Sequence, residues 1–445
     1  MTVGDQRWNE RMPWVPGNRW DLVADRQPEP PRVSVIVTHY DQPDELARTL
    51  VALQRQDHPS ELVEIIVADD GSPREPTVPA GVRLVRQEDR GFRAAAARNL
   101  GAAAATGEVL CFLDADTAPE PSYVRRLSRL PALLPEAVTV GRRRHADLAG
   151  LAAETPVEQA GPTRELPEPA WLREAYTRSE NLLHADDRSY RYVISAVAAC
   201  SRTFFEELGG FDESFSSYGG EDWEWAHRAW QAGAVLAHVP DAVAWHDGPD
   251  WADREGVDRA REGNRQTMRL ASMIPVAGSA GRGLLPAKPD LLVHLPAQLP
   301  ASAQFACVDS LLAAFPRATV VLPDPSDEPL IGGDPRVRVD DGGLDDDVRV
   351  TLRLERAVVI LDPSPLSAAL ASLGHDGRGS LRVVSQEGVA IGRAEARRAR
   401  RRLQRWGTSA GFEEQAVTFE GVHAVRDEPH LEAWVGEWGG KDRLV

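Results

Sequence analysis

Two carboxylates, Asp114 and Asp116, stand one residue apart directly after the apolar run 109–113. A run of this kind is typical of a buried strand, which would deliver both side chains to its exposed end. Carboxylates this close raise each other's pKa unless a cation or a set of donors neutralises them. Oxygen ligands suit Mg²⁺ or Mn²⁺, which usually keep positions open for a substrate's phosphates. The pair predicts a metal-bound diphosphate; the alternative is a strand-end turn with two solvated aspartates.

The preceding segments predict alternating parallel strands and helices. They are strands at 33–37, 64–68 and 82–85, a helix at 43–56, and an alanine-rich helix that carries Arg98 and Asn99. Asp69 and Asp70 end the second strand and would face the cleft in which such sheets bind ligands. Arg93 and Arg98 stand near the first turns of the alanine-rich helix, where guanidinium groups can fork onto phosphate oxygens. For Arg93, a solvated surface position is the alternative.

Four motifs, in this order, resemble the family 2 glycosyltransferases of the GT-A fold. They are Val-Ser-Val-Ile-Val-Thr-His-Tyr at 33–40, Ala-Asp-Asp-Gly-Ser at 68–72, Ala-Ala-Arg-Asn-Leu-Gly at 96–101 and Phe-Leu-Asp-Ala-Asp at 112–116. Further along, Gly-Gly-Phe-Asp-Glu at 209–213 and Tyr-Gly-Gly-Glu-Asp-Trp-Glu at 218–224 are similar to chondroitin-polymerase-type transferases and to galactosyl- and polypeptide GalNAc-transferases. The resemblance spans about residues 32–250. It implies an α/β fold with a Rossmann-like nucleotide-binding half and a mixed, mostly parallel sheet.

The resemblance also implies roles for individual residues. Those that would contact the nucleotide sugar are Thr38, Tyr40, Asp41, Asp69, Asp70, Arg93, Arg98, Asp114 and Ala115. Thr38, Tyr40 and Asp41 would line the base pocket, an aspartate of the 69–70 pair would hold the base, most commonly uracil, and Arg98 would meet the pyrophosphate. Asp114 and Asp116 would hold the metal and the ribose. His246 matches a frequent third metal ligand, although a lone histidine is more often structural.

Glu221 and Asp222 follow Gly219-Gly220, which would let the backbone approach a sugar and turn into a helix beginning near Glu221. Acidic residues in a first helical turn also gain from the helix dipole, which is the structural alternative. Sugar transfer to a hydroxyl needs a base, and we assign that role to Asp222. Glu221 and Gly220 would contact the acceptor. Trp223 would offer an aromatic face to a pyranose ring.

Composition is that of a large soluble enzyme. The chain has 445 residues, 42% of them hydrophobic, and a net charge of −17 from 51 basic and 68 acidic residues, which argues against a nucleic-acid partner. No opening hydrophobic segment and no run of 18 or more apolar residues is apparent, so we expect neither a signal peptide nor a membrane span. Three scattered cysteines fit a reducing compartment. We therefore expect a cytoplasmic protein.

The chain divides into three predicted segments: a Trp/Pro-rich extension at 1–31, a GT-A domain at 32–280 and a smaller C-terminal α/β domain at 286–445. The GT-A domain would comprise a nucleotide-binding half at 32–118 and an acceptor half at 119–280. We expect the extension to pack across a domain surface because it carries Trp8, Trp14 and Trp20.

Residues 141–190 read as an irregular, mobile loop on the acceptor side. Its arginine run, 142–144, would either grip an anionic acceptor or the diphosphate, or form a solvated face.

The C-terminal third repeats the strand pattern, with apolar runs at 291–295, 318–322, 337–339 and 357–361. The fourth run ends in Asp362-Pro363-Ser364, without the second carboxylate. We interpret this domain as non-catalytic and lacking the metal site; periodicity alone does not separate a degenerate GT-A-like copy from an unrelated α/β module. The arginine-rich stretch 393–405 predicts a helix that either pairs with the acidic stretch 340–347 or docks on an anionic lipid surface or polymer, as a peripheral membrane protein would.

Together these patterns predict a metal-dependent inverting glycosyltransferase of the hexosyltransferase class, acting in polysaccharide biosynthesis. It would use Mn²⁺ or Mg²⁺ and move a sugar from a nucleotide donor, UDP-linked by the resemblance, to a hydroxyl of a glycan or a small molecule. One alternative is a retaining enzyme like the polypeptide GalNAc-transferases. Another is a non-catalytic glycan- or nucleotide-binding protein of the same fold, against which the presence of Asp116 and Asp222 counts.

Overall fold

The computed structural model describes residues 14–217, 219–249, 259–375, 377–409, 411–438 and 443–444. The chain forms two compact units, one of Met1–Trp230 with Ala234–Leu270 and the other of Gln231–Gly233 with Ala271–Val445. Trp8 and Tyr218, which the sequence analysis singled out, lie outside the described residues.

The first unit holds one large mixed sheet with helices against it. Its strands are β1 (Val33–His39), β2 (Val63–Asp69), β3 (Val82–Arg86), β4 (Val109–Asp114), β5 (Thr117–Pro119), β6 (Ala137–Ala146), β7 (Glu165–Leu166), β8 (Val197–Ser201) and β9 (Val235–Asp247). Its helices are α1 (Pro43–Gln54), α2 (Ala94–Ala104), α3 (Tyr123–Leu133), α4 (Val157–Thr163), α5 (Ala170–Arg178), α6 (Arg202–Glu207), α7 (Glu221–Gln231) and α8 (Arg259–Met273), the last running across the boundary at Leu270.

The strand order is β3-β2-β1-β4-β8-β6-β9-β5, with β7 on β6. The first four strands are parallel, β8 is antiparallel to β4, and β6 and β9 are parallel to each other. Because β1, β2 and β4 run the same way, their carboxyl ends meet at one edge, where ligands bind in open α/β sheets. The predicted α/β sheet and its first four strands are confirmed.

Close packing of α2 on this sheet depends on Gly101. A Cβ at that position would lie 2.5 Å from Cγ2 of Ile36 in β1, so a larger residue would push the helix away. The helix carries Arg98 on its buried side, and its position relative to β1 and β4 therefore fixes where that guanidinium lies.

The described part of the N-terminal extension packs on the first unit. Val15 and Val23 are buried in one cluster with Leu130 of α3 and Val235 of β9, and the amide of Asn18 bonds the backbone of β9. The extension therefore covers the outer face of α3 and β9.

The prediction of an irregular segment at 141–190 is wrong in large part. The arginine run lies within β6, and α4 and α5 follow it. A strand tolerates three successive arginines here because Arg142 and Arg144 pair with Glu168 and Glu165 while the backbone is held in register with β9.

The second unit is a smaller α/β body around its own core. Its strands are β10 (Leu291–His294), β11 (Thr319–Val321), β12 (Val337–Arg338), β13 (Val350–Leu354), β14 (Val358–Ile360), β15 (Arg378–Val384), β16 (Ala390–Ala396), β17 (Glu413–Thr418) and β18 (Val422–Ala424). Its helices are α9 (Ala301–Ala314), α10 (Pro329–Gly332), α11 (Ser364–Ala371), α12 (Arg397–Trp406) and α13 (Leu431–Val435).

The large sheet of this unit runs β12-β11-β10-β13-β16-β15-β17, which reproduces the order β3-β2-β1-β4-β8 over its first five strands. The apolar run at 357–361 does form a strand, β14, but its predicted place as the fourth strand of the repeat is wrong: β13 lies next to β10, whereas β14 pairs with β18 in a separate small sheet. Asp362-Pro363-Ser364 therefore does not follow the strand that corresponds to β4. The arginines of α12 pair with the acidic stretch, as in Arg397 with Asp347, which confirms the first of the two interpretations.

None of the described helices is both long enough and apolar enough to cross a membrane.

Candidate active site

A cavity of about 730 Å³ lies in the first unit, at the carboxyl ends of β1, β2 and β4 and the start of α7. Its walls contain most of the residues predicted from sequence: Thr38, Tyr40, Asp70, Arg98, Asp114, Asp116, Gly220, Glu221, Asp222, Trp223 and His246. The predicted residues Asp41, Asp69, Arg93 and Ala115 lie outside its walls. The cavity thus joins the two halves that the sequence motifs come from.

The backbone between the two aspartates is tightly held. Ala115 is fully buried; its N–H donates to the carbonyl of Thr38 over 2.9 Å and its carbonyl accepts from Oγ1 of Thr49 over 2.7 Å. Ala115 therefore exposes no surface to the cavity. The residue instead fixes the directions of Asp114 and Asp116.

Asp116 lies beside His246. Thr117 of β5 is in register with His246 of β9, which brings Oδ2 of Asp116 to 3.4 Å from Nε2 of the histidine. Burial alone would raise the pKa of Asp116, but His246, Gln42 and Thr117 together outweigh it and lower the pKa to about 2. Asp116 is therefore ionised at neutral pH, and an oxygen and a nitrogen ligand stand side by side.

These residues fit a divalent cation. Asp116 and His246 supply two ligand atoms, and Asp114, whose side chain is about one-third exposed, reaches the same cavity. Carboxylate and imidazole ligands with open positions are what a metal that also binds phosphate needs.

A separate group of ligand-type side chains lies in the second unit, where the sequence predicted no metal site. Ligand atoms of His294, Asp341 and Asp345 lie within 4.8 Å of one another. Asp345 there already accepts hydrogen bonds from Thr351 and Arg353, so its charge is compensated without an ion.

Arg98 connects the two halves of the cavity. Its side chain is buried and donates over 2.8 Å to Oε1 of Glu221 in α7 and over 2.9 Å to Oδ1 of Asp114 at the end of β4. Burial disfavours its charge, but the two carboxylates outweigh this and raise the pKa of Arg98 above its ordinary value. The structure thus has Arg98 holding two carboxylates, whereas the resemblance implied a contact with the pyrophosphate.

Glu221 and Asp222 differ in their surroundings. One oxygen of Glu221 is bound by Arg98, while Oε2 is buried and has no hydrogen-bond partner among the described residues. Asp222 accepts hydrogen bonds from the backbone N–H groups of Trp223 and Ser195. These hydrogen bonds lower the pKa of Asp222, but burial and, to a smaller extent, the charge of Glu221 outweigh them and raise it to about 7. Asp222 is therefore a carboxylate with the proton affinity of a general base.

Two glycines shape the entry to α7. Gly219 and Gly220 have φ angles of +87° and +99°, and a Cβ on Gly219 would lie 2.9 Å from Oε1 of Gln266. Glycine is required at both positions because other residues rarely adopt this backbone conformation. The turn places the first residues of α7 at the cavity wall.

The tryptophans separate into two groups. Trp225 and Trp230 are 1% exposed and belong to the core, whereas Trp223 lines the cavity. Trp171 of α5 is 46% exposed and also lines it. Sequence analysis missed Trp171 because its segment was predicted to be irregular. The available signal was the spacing of Leu172, Ala175 and Tyr176, which form the buried face of a helix and leave the adjacent tryptophan exposed.

At the carboxyl end of β2, Asp69 is fully buried in a polar network. His39 donates through Nδ1 to Asp69 over 2.8 Å, the backbone N–H of Ser72 donates over 3.0 Å, and Arg86 lies 3.0 Å away. The N–H of Gln42 donates to Nε2 of His39, which fixes the histidine tautomer. His39, for which the sequence predicts no role, therefore positions Asp69.

Asp70, rather than Asp69, faces the cavity. It accepts from Nε2 of Gln87 over 2.5 Å and from the backbone N–H of Arg93 over 2.7 Å, while the guanidinium of Arg93 points to Glu213, 3.7 Å away. Oγ1 of Thr38 is buried and has no partner among the described residues, so it remains available to a ligand.

Residues 34–209 match the family model described as glycosyl transferase family 2, and residues 179–244 match one described as N-terminal domain of galactosyltransferase. The chain is 29% identical to the hyaluronan synthase of Pasteurella multocida (63% of this chain, 31% of the relative) and 29% identical to the chondroitin synthase of Escherichia coli (55% and 38%). It is also 29% identical to the validoxylamine A glucosyltransferase of Streptomyces hygroscopicus subsp. jinggangensis (54% and 59%).

The chain thus spans about a third of the length of the two polysaccharide synthases. The matched segment contains β1 to β4, α2 and both aspartates at the end of β4, so the comparison and the cavity concern the same residues. Residues 34–209 are therefore a glycosyltransferase family 2 domain, and its α/β fold is of the GT-A type.

Proposed function

We propose that this chain is a metal-dependent inverting glycosyltransferase that transfers a sugar from a UDP-linked donor to a hydroxyl of a glycan or a small molecule. The observation that carries the proposal is the position of Asp222. Its carboxyl group, with a pKa of about 7, lines the same cavity as Asp116 and His246.

Asp222 would act as the general base. As it takes the proton of the acceptor hydroxyl, the oxygen forms a bond to the anomeric carbon, and the bond from that carbon to the phosphate oxygen breaks. The departing nucleoside diphosphate keeps the electron pair. Direct displacement of this kind inverts the anomeric configuration, and a base whose pKa lies near the working pH is the most effective.

Asp114, Asp116 and His246 would hold the cation. A bound Mn²⁺ or Mg²⁺ would neutralise the charge that develops on the departing diphosphate. Arg98 holds Asp114 through a hydrogen bond, and it links that carboxylate to Glu221 on the acceptor side. The geometry of the donor end is thereby coupled to that of the acceptor end.

Glu221, Trp223 and Trp171 would bind the acceptor. Oε2 of Glu221 can accept a hydrogen bond from a sugar hydroxyl, and the tryptophans offer aromatic faces to the apolar side of a pyranose ring. The relatives named above include two polysaccharide synthases and a glucosyltransferase of a small molecule, so both acceptor classes belong in the assay.

A retaining enzyme is the second candidate, because the Gly-Gly-Glu-Asp segment at 219–222 is similar to that of the polypeptide GalNAc-transferases. The configuration of the product at its anomeric carbon separates the two, because only direct displacement by the acceptor inverts it.

The test is a screen of UDP- and GDP-sugars with Mn²⁺, read as donor hydrolysis and as transfer to chondroitin, hyaluronan and small-molecule acceptors. Asp116→Asn should abolish activity, whereas Asp44→Asn, an exposed aspartate of α1 outside the cavity, should retain it. NMR of the first product gives its configuration. Metal-independent activity, or activity in Asp116→Asn equal to that of the control, would reject the proposal.

A further inference from the structure

A second cavity, of about 450 Å³, adjoins the active-site cavity. The two share Arg143 and Ile194 in their walls. Helix α5 also serves both, since Trp171 lines the first cavity and Arg173 lines the second. The volume of the second cavity is within the range of about 300–1,000 Å³ in which proteins bind small ligands. A chain of sugars that ends at Asp222 would therefore have room for a further unit past Arg143.

The walls of this second cavity carry an excess of positive charge. Arg142, Arg143 and Arg173 line it, and Glu168 is the acidic residue that faces them. Arg142 donates to Oε1 of Glu168 over 2.8 Å, so its charge is compensated within the wall, and Arg173 is the exposed arginine of that wall. Guanidinium groups bind carboxylates and sulfates through charge-assisted hydrogen bonds, and the arrangement favours an anionic ligand.

One ring nitrogen of a buried histidine in the same wall has no hydrogen-bond partner among the described residues. His238 is 7% exposed, and its ring stacks on that of Tyr176 with 3.6 Å between the ring centroids. Its Nδ1 lies 2.8 Å from Oδ1 of Asn181. Nε2 has no hydrogen-bond partner among the described residues. Burial, reinforced by Arg142, lowers the pKa of His238 to about 3, so the ring is neutral and Nε2 is an acceptor. A buried acceptor of this kind is costly unless a ligand hydroxyl satisfies it.

We propose that the second cavity is an acceptor subsite, which binds the penultimate sugar of an oligosaccharide acceptor when that sugar carries a carboxylate or sulfate. Arg173 would bind the anionic group, Nε2 of His238 would accept a hydrogen bond from a ring hydroxyl, and the terminal sugar would lie between Trp171 and Asp222. This inference rests on the proposed function and specifies its acceptor class.

The test measures binding of a chondroitin tetrasaccharide and of its carboxyl-reduced, uncharged derivative to the full chain, by calorimetry with saturating UDP and Mn²⁺. Arg173→Gln removes an exposed arginine of the cavity wall, and Arg178→Gln removes an exposed arginine of the same helix that does not line it. We expect Arg173→Gln to weaken binding of the acidic tetrasaccharide about tenfold or more and Arg178→Gln to leave it unchanged. His238→Phe, which removes the acceptor atom, should weaken binding of both tetrasaccharides.

Affinity for UDP with Mn²⁺ should be the same in all variants. Equal effects of Arg173→Gln and Arg178→Gln, equal affinity for the acidic and the reduced tetrasaccharide, or no binding of the acidic form to the wild-type chain would each overturn the inference while leaving the donor site intact. Failure of the wild-type chain to bind UDP with Mn²⁺ would instead reject the proposed function itself.

Discussion

Replacing Asp222 by asparagine tests the assignment of the base most directly. The side chain keeps its shape and can keep the hydrogen bond from the N–H of Trp223, so the fold and the donor site should be preserved. It loses the oxygen that accepts the acceptor's proton. General-base catalysis is worth about 10²–10⁴-fold, and we expect turnover to fall by that factor while affinity for UDP with Mn²⁺ stays the same.

The pH dependence of turnover gives a second, independent test of the same assignment. With a pKa of about 7, about 9% of Asp222 is ionised at pH 6 and about 91% at pH 8, so wild-type turnover should rise roughly tenfold over this interval. The sign follows from the role, because the base must be ionised to act. In Asp222→Asn the rise should be absent.

Glu221→Gln is the matched comparison. The charge of Glu221 raises the pKa of Asp222, whereas the charge of Arg98 lowers it. Removing the charge of Glu221 should therefore lower the pKa of Asp222, and turnover should begin to rise at a lower pH. The same change should raise the KM for the acceptor more than it lowers kcat. The assays are initial rates across pH 5.5 to 9 with saturating donor. Near-normal turnover in Asp222→Asn, or an unchanged pH profile in both variants, would refute the assignment and favour a retaining mechanism.

The nucleotide-binding half could be read from the sequence because its signals are local. Strands β1, β2 and β4 are mostly apolar and end in polar residues that meet at one edge of the sheet, so Asp70 and Asp114 could be placed without coordinates. The glycines before α7 were also readable, since two glycines before acidic residues mark a turn into a helix.

The sequence was least informative where partners are distant in the chain. The hydrogen bonds of Arg98 could not be predicted because Asp114 and Glu221 come from different elements, and Glu221 stands 123 residues away. The segment 141–190 read as a loop because its charges suggested solvent, whereas Arg142 and Arg144 of β6 pair with Glu168 and Glu165, in and just after β7. In the second unit, 357–361 is wholly apolar whereas β13 contains Thr351 and Arg353, so local hydrophobicity favoured the wrong segment as the neighbour of β10.

Two further predictions follow from the same contacts. Asp116→Ala should abolish binding of UDP with Mn²⁺ to the full chain, because Asp114 alone does not hold an ion that must also bridge phosphates. Calorimetry measures this binding. Residual saturable binding would indicate a second donor site in the C-terminal unit, which we propose to be non-catalytic. Arg98→Gln should lower the free energy of unfolding by about 3–5 kcal/mol in urea, because it leaves the carboxylates of Asp114 and Glu221 without their common cation. Arg125→Gln, which breaks an exposed ion pair, is the control and should cost less than about 1 kcal/mol. Similar losses in the two arginine variants would mean that Arg98 does not act as the buried link between the donor and acceptor sides, and the coupling inferred for the site would fail with it.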